Sequence, residues 1–158
     1  MIPIDLTGKT ALITGASGQL GRVMARTLGA AGADVILHSN RNREAAEKFA
    51  AEIAATGVRA LAVTADVTDQ ESVNAMQKEL AAAGIRPDIL VNSAVIQYGW
   101  TDVLSQDPAD FESQFYSCVM QNVYMAKAFL PHMKEQGYGR FIAINTECAM
   151  QCFPRQAA

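Results

Sequence analysis

The chain has 158 residues, 50% of them apolar and 18% charged, which is long enough to bury a core as a single domain over 1–158 and gives no compositional sign of disorder. A formal charge of -3 with scattered basic residues excludes the electrostatic footprint of a nucleic-acid binder or of an anionic-membrane binder, so small molecules are the expected partners. No apolar run approaches the roughly 18 residues that span a bilayer. The start Met1-Ile2-Pro3-Ile4-Asp5-Leu6 lacks a basic region followed by an apolar stretch, so the chain is expected in the cytoplasm.

The first predicted element carries the most information. Lys9-Thr10-Ala11-Leu12-Ile13-Thr14-Gly15-Ala16-Ser17-Gly18-Gln19-Leu20-Gly21 reads as a buried strand that breaks into glycines and then opens a helix. Glycine lets a backbone turn sharply and approach a pyrophosphate with no Cβ in the way, and the helix that follows aims unpaired N–H groups at the phosphates. On this reading a side chain at Gly15 fills the pyrophosphate's space at little cost to stability. The helix is expected to bury Leu20, Val23, Met24, Thr27, Leu28 and Ala31.

A second strand follows over 33–38, then a helix with Ala46, Phe49, Ala50 and Ile53 on one face, then a third strand over 59–64. Thr68 or Asp69 caps the next helix, whose inner face carries Val73, Met76 and Leu80. Residues 87–95 read as a fourth strand, with Ile89, Leu90 and Val91 consecutive and apolar as in a strand covered on both faces. Asp107-Pro108 starts a long helix carrying Phe111, Phe115, Val119 and Val123, which Pro131 closes. Gly137-Tyr138-Gly139 is a turn, residues 141–145 a fifth strand, and 146–158 has no clear period. Repeated β-α units with short connections predict an α/β fold: a doubly wound parallel sheet with helices on both faces. The three cysteines, Cys118, Cys148 and Cys152, are odd in number and have no histidines at ligand spacing, so no disulfide framework or metal site is expected.

These segments, in this order, resemble the short-chain dehydrogenase/reductase family of oxidoreductases. The cofactor loop from Thr14-Gly15 to Gly21, the acidic turn Asp66-Val67-Thr68, the strand end Asn92-Ser93-Ala94, and Pro131-His132-Met133 with Gly139-Arg140-Phe141-Ile142 all match its pattern. The resemblance implies a Rossmann fold and a nicotinamide cofactor. It implies cofactor contacts from Gly15, Ser17, Gly18, Gln19, Leu20, Gly21, Asp66, Val67, Asn92, Ser93 and Ala94, with Asp66 at the adenine. As a bare residue pattern, Asp66 is equally read as a helix cap and Asn92 as a turn-stabilising amide.

Three departures stand out. Gln19 replaces a glycine of the classical branch, and the spacing of Gly15, Gly18 and Gly21 resembles the extended branch. Ser93 and Val95 replace the usual second asparagine and the glycine. The Asn92-Ser93-Ala94 and Pro131-His132-Met133 segments nonetheless belong to the classical branch.

The end of the second strand reads His38-Ser39-Asn40-Arg41-Asn42-Arg43, with no carboxylate to hold a ribose 2′-hydroxyl. Arg41 and Arg43 offer planar donors to a 2′-phosphate, with Ser39 and Asn40 adding hydrogen bonds, which favours NADP(H) over NAD(H). His38 reads as a packed or solvent-facing side chain, and His132 likewise.

In the family a tyrosine exchanges a proton with the substrate oxygen, a lysine in Tyr-x-x-x-Lys lowers the tyrosine's pKa, and a serine orients the substrate. Thr146 falls at the serine position. The tyrosine would fall just past Ala158, so the chain is expected to be the N-terminal part of a longer homo-oligomeric oxidoreductase acting on a small carbonyl or alcohol. The rival expectation is a non-catalytic dinucleotide-binding or interaction module. An asparagine that anchors a relay water in the family falls on Cys118, with Asn122 one helical turn further on. Taken by itself, Cys118 reads as a small packing residue.

Overall fold

A computed structural model describes residues 4–145 of the chain. Five parallel strands, β1 (Thr10–Ile13), β2 (Asp34–Ser39), β3 (Ala60–Thr64), β4 (Ile89–Asn92) and β5 (Arg140–Ala143), form one sheet in the order β3-β2-β1-β4-β5. Between them run α1 (Gln19–Ala30), α2 (Arg43–Ala54), α3 (Gln70–Ala82), α4 (Pro108–Phe115) and α5 (Gln121–Glu135), the last two joined by a π-helical turn over Tyr116–Met120. The strand order reverses between β1 and β4, and in open α/β sheets that crevice at the strands' carboxyl ends is where ligands sit.

Alternation along the central strands builds two cores. Ala11, Ile13, Val35, Leu37, Ile89 and Val91 face α1 and α2, packing with Ala25, Phe49 and Ile53. Leu12, Ile36 and Leu90 face the other side and pack with Met76 and Leu80 of α3 and Met125, Phe129 and Met133 of α5. The central strands β1, β2 and β4 are apolar on both faces because each face is covered.

The inner face of α1 matches the expected one at Met24 and Leu28, which pack part-buried against the core, and differs elsewhere. Its buried residues are Gly21, Ala25 and Gly29, while Leu20 and Val23 are 54% and 59% exposed. Small residues let the helix axis approach the glycine loop and α2, so a stripe of the smallest side chains runs along the centre of the contact, with Met24 and Leu28 packing beside it. The strand β4 is shorter than 87–95: past Asn92 the N–H groups of Ser93 and Ala94 turn away to the Thr14 hydroxyl at 2.9 and 3.0 Å.

The long helix is also read differently by the structure. Pro131 lies inside α5, which continues to Glu135 because Met133 is buried against the sheet and holds the last turn in place. The helix ends at Gly137, in the left-handed region at φ 70°, with the Tyr138 N–H reaching back to the Met133 carbonyl at 3.1 Å. Its buried stripe is Ser117, Gln121, Met125, Phe129 and Met133. Phe115, Val119 and Val123, expected on that face, are about half exposed.

Candidate functional site: the groove at the switch point

Two contiguous depressions of about 260 and 780 Å³ lie over the carboxyl ends of the strands and share Gly15, Gly18, Ser93, Ala94 and Val95. One extends over His38, Ser39, Asn40, Asp66 and Val67 at the β2 and β3 ends, and includes Ser17. The other extends over Gln19, Leu20 and Gly21 to Cys118, Asn122, Ile144 and Asn145. The sheet topology thus collects most of the predicted cofactor residues into one groove. Arg41 and Arg43 do not line it. The Arg43 guanidinium is held by Glu47 at 2.8 Å, which raises its pKa, and Arg41 forms no ion pair among the described residues. Asn92 is buried just beneath the groove. Thr146 lies outside the described residues.

The glycine loop is shaped chiefly by its own packing. Gly15 has φ 66°, and a Cβ there would stand 2.9 Å from the Ala94 Cα and 3.1 Å from the Ser93 carbonyl oxygen. A Cβ at Gly21 would meet the Gly15 carbonyl oxygen at 2.3 Å. The volume that a Gly15 side chain would fill therefore belongs to the β4 loop, which corrects the expectation that it belongs to the pyrophosphate. A Cβ at Gly18 meets only the Gly15 carbonyl oxygen, at 3.3 Å.

The start of α1 suits an anion. Gly18 at its N-cap offers no side-chain acceptor and the first turn carries no acidic residue. By contrast, α2, α3 and α4 are capped by the side chains of Asn42, Asp69 and Asp107. Unpaired N–H groups and the positive end of the helix dipole thus face the groove, and a diphosphate would satisfy them. Asp69, not Thr68, is the cap of α3. Asp66 is not a helix cap; its Oδ1 accepts the Thr68 N–H and O–H at 2.9 and 2.6 Å, shaping the turn that borders the groove.

Four residues hold this edge together through partners that sequence reasoning missed, although it named Asn122 as the alternative to Cys118 and read His38 as packed or solvent-facing. The fully buried Thr14 fixes the β4 loop to the glycine loop through its hydroxyl. His38 accepts the Gly15 N–H. Gln121 donates to the Ala94 carbonyl at 2.8 Å and also to the Ser117 carbonyl. Asn122 accepts from Asn92 at 2.7 Å and donates to the Cys118 carbonyl at 2.8 Å. In a π turn the N–H groups reach five residues back, and these two side-chain amides bond carbonyls of that turn. Cys118 itself lines the groove and is exposed, unlike the packing residue its type suggests.

Residues 9–158 match the short chain dehydrogenase family. The chain belongs to this family. It is 40% identical over 142 residues to oxidoreductase UcpA of Escherichia coli, covering 89% of this chain and 52% of that protein. It is 32% identical over 144 residues to versicolorin reductase 1 of Aspergillus parasiticus, covering 90% of this chain and 54% of that protein. The chain thus spans about half the length of the curated relatives it matches.

Among solved structures, a gluconate 5-dehydrogenase from Burkholderia cenocepacia in complex with NADP and tartrate superposes with a TM-score of 0.89 at 30% identity, covering 97% of this chain and 59% of that one. An NAD+-bound xylitol dehydrogenase gives 0.89 at 30% identity, covering 96% and 58%. Two solved structures equally similar to the chain therefore carry different nicotinamide cofactors, NADP in one and NAD+ in the other. Among the described residues no helix is long and apolar enough to cross a membrane.

Proposed function

We propose that the chain supplies the cofactor-binding part of an NADP(H)-preferring oxidoreductase that interconverts a small carbonyl compound and a secondary alcohol. The observation that carries this reading is the groove at the β1/β4 switch point, where an uncapped helix start and a close-packed glycine loop meet the acidic turn at Asp66. When bound, the nicotinamide supplies the hydride chemistry. In this reading Gln19, Leu20 and Gly21 present amides to the diphosphate beside Gly18, whose own N–H is held by the Gly15 carbonyl at 3.0 Å, Asp66 and Val67 border the adenine, and Ser39 and Asn40 border the ribose. Asn92, Ser93 and Ala94 shape the floor, and Thr146 orients the substrate oxygen. The preference for NADP(H) rests on the absence of a carboxylate from His38 to Arg43 and on the cationic Arg41 beside that edge.

The same reading includes a homo-oligomer, supported by the apolar stripe Phe111, Phe115, Val119 and Val123 left exposed along α4, the π-helical turn and α5, and a cytoplasmic location. The test is calorimetric titration of the purified chain with NADP+ and NAD+. Saturable binding with the tighter constant for NADP+ is expected, and no binding of either dinucleotide would overturn the reading.

A further inference from the structure

His38 sits near the end of β2 with 1% of its surface exposed. It receives two successive amides of the glycine loop: its backbone carbonyl accepts the Ala16 N–H at 2.9 Å and its ring Nδ1 accepts the Gly15 N–H at 3.3 Å. On the far side of the ring, Nε2 lies 2.9 Å from the Ala65 carbonyl oxygen at the end of β3. An amide N–H can only donate and a carbonyl can only accept. One protonation state satisfies both partners, the neutral imidazole with its proton on Nε2. A cationic ring carries N–H at both nitrogens and would set a donor against the Gly15 donor.

We propose that His38 is a positioning residue for the glycine loop: its neutral Nε2–H ring ties Gly15 to the end of β3, and protonation of the ring loosens the cradle that holds the cofactor. The role of the loop as a cofactor cradle rests on the function proposed above, whereas the tie itself does not.

The surroundings set when the proton arrives. The adjoining positions on β1, Ile13 and Thr14, and the register partner on β3, Val63, are uncharged. Asp66, in the loop after β3, is the ionisable group whose charge acts on the ring. Burial holds the imidazole pKa below its ordinary value, and the Ala65 carbonyl and Asp66 oppose that only in part. The tie is therefore intact at neutral pH and fails on the acid side.

The test reads the ring and the loop separately. In nitrogen NMR of the chain, whose only other histidine is His132, the His38 ring should show a protonated Nε2 and a bare Nδ1 at neutral pH. The Gly15 amide should lose protection from hydrogen exchange as that ring titrates. NADP+ affinity is then followed with pH for the native chain and for His38→Asn, since the titration of the 2′-phosphate is common to both and cancels in their ratio. The native chain should lose affinity relative to His38→Asn by about tenfold for each pH unit below the ring's own titration. A proton on Nδ1 at neutral pH, or Gly15 protection indifferent to the ring's titration, would overturn the proposal even if His38→Asn fails to fold. Parallel affinity profiles for the two proteins would also overturn it. The expected tautomer and Gly15 protection in a chain that binds no dinucleotide would support the tie and refute the cofactor reading.

Discussion

Replacing Gly15 with alanine separates what the loop needs for its own packing from what it offers a ligand. The residue sits at φ 66°, where an L side chain costs about 1–2 kcal/mol. The new Cβ would also stand 2.9 Å from the Ala94 Cα and 3.1 Å from the Ala94 nitrogen, both backbone atoms that Thr14 holds in place. Forcing such a contact apart costs about 1–3 kcal/mol. Gly15→Ala should therefore lower the unfolding free energy by about 2–5 kcal/mol. Gly18 provides the internal control. Its φ is -73° and its Cβ would meet only the Gly15 carbonyl oxygen, at 3.3 Å, so Gly18→Ala should cost no more than the about 1 kcal/mol of a poorer N-cap. Urea titration followed by circular dichroism reads both variants, and unchanged slopes would confirm that the native state alone is affected. Equal stabilities for Gly15→Ala and Gly18→Ala would refute the packing origin of Gly15. The ligand role then shows at Gly18, where dinucleotide affinity should fall while stability holds.

Three further outcomes follow from the same geometry. Thr14→Val keeps the shape but removes the acceptor for the Ser93 and Ala94 N–H groups, and should cost about 1–3 kcal/mol in denaturant titration, with Thr14→Ser restoring most of it. Arg41→Ala should erase an NADP+ over NAD+ preference of about tenfold to a hundredfold, because a charge-assisted contact contributes about 1.5–3 kcal/mol, while Arg43→Ala should change the calorimetric ratio far less since Glu47 already holds that guanidinium. Native stability should decline as pH falls below the ordinary histidine range near about 6.5, because the unfolded chain takes up the His38 proton before the folded chain does; in His38→Asn this part of the acid dependence, measured by thermal unfolding at a series of pH values, should vanish.

What the sequence made legible is what short stretches of chain decide by themselves. Consecutive apolar residues at Leu12-Ile13, Val35-Ile36-Leu37 and Ile89-Leu90-Val91 mark strands covered on both faces, and the glycine loop between β1 and α1 announces its own turn. What stayed hidden acts across long stretches of sequence. Thr14 and Ser93 are 79 residues apart, His38 and Ala65 are 27 apart, and only the strand order brings them together. A buried threonine or histidine carries no local signal of the backbone atom it will meet.

The long helix shows how a site can invert the pattern that would reveal it. Two stripes at four-residue spacing run along it: Phe111, Phe115, Val119 and Val123, and Ser117, Gln121, Met125, Phe129 and Met133. Hydrophobicity favours the first as the inner face, yet the second is buried. The second begins with Ser117 and Gln121 because that end of the helix packs on the loop after β4 instead of on the sheet. The need there is for an amide to bond the Ala94 carbonyl and a carbonyl of the π turn. Only from Met125 onward, over the sheet, does the stripe become apolar. The polar start of a buried stripe is thus the mark of the groove in the helix sequence. A period search misses it because there the helix serves the cradle before it serves the core.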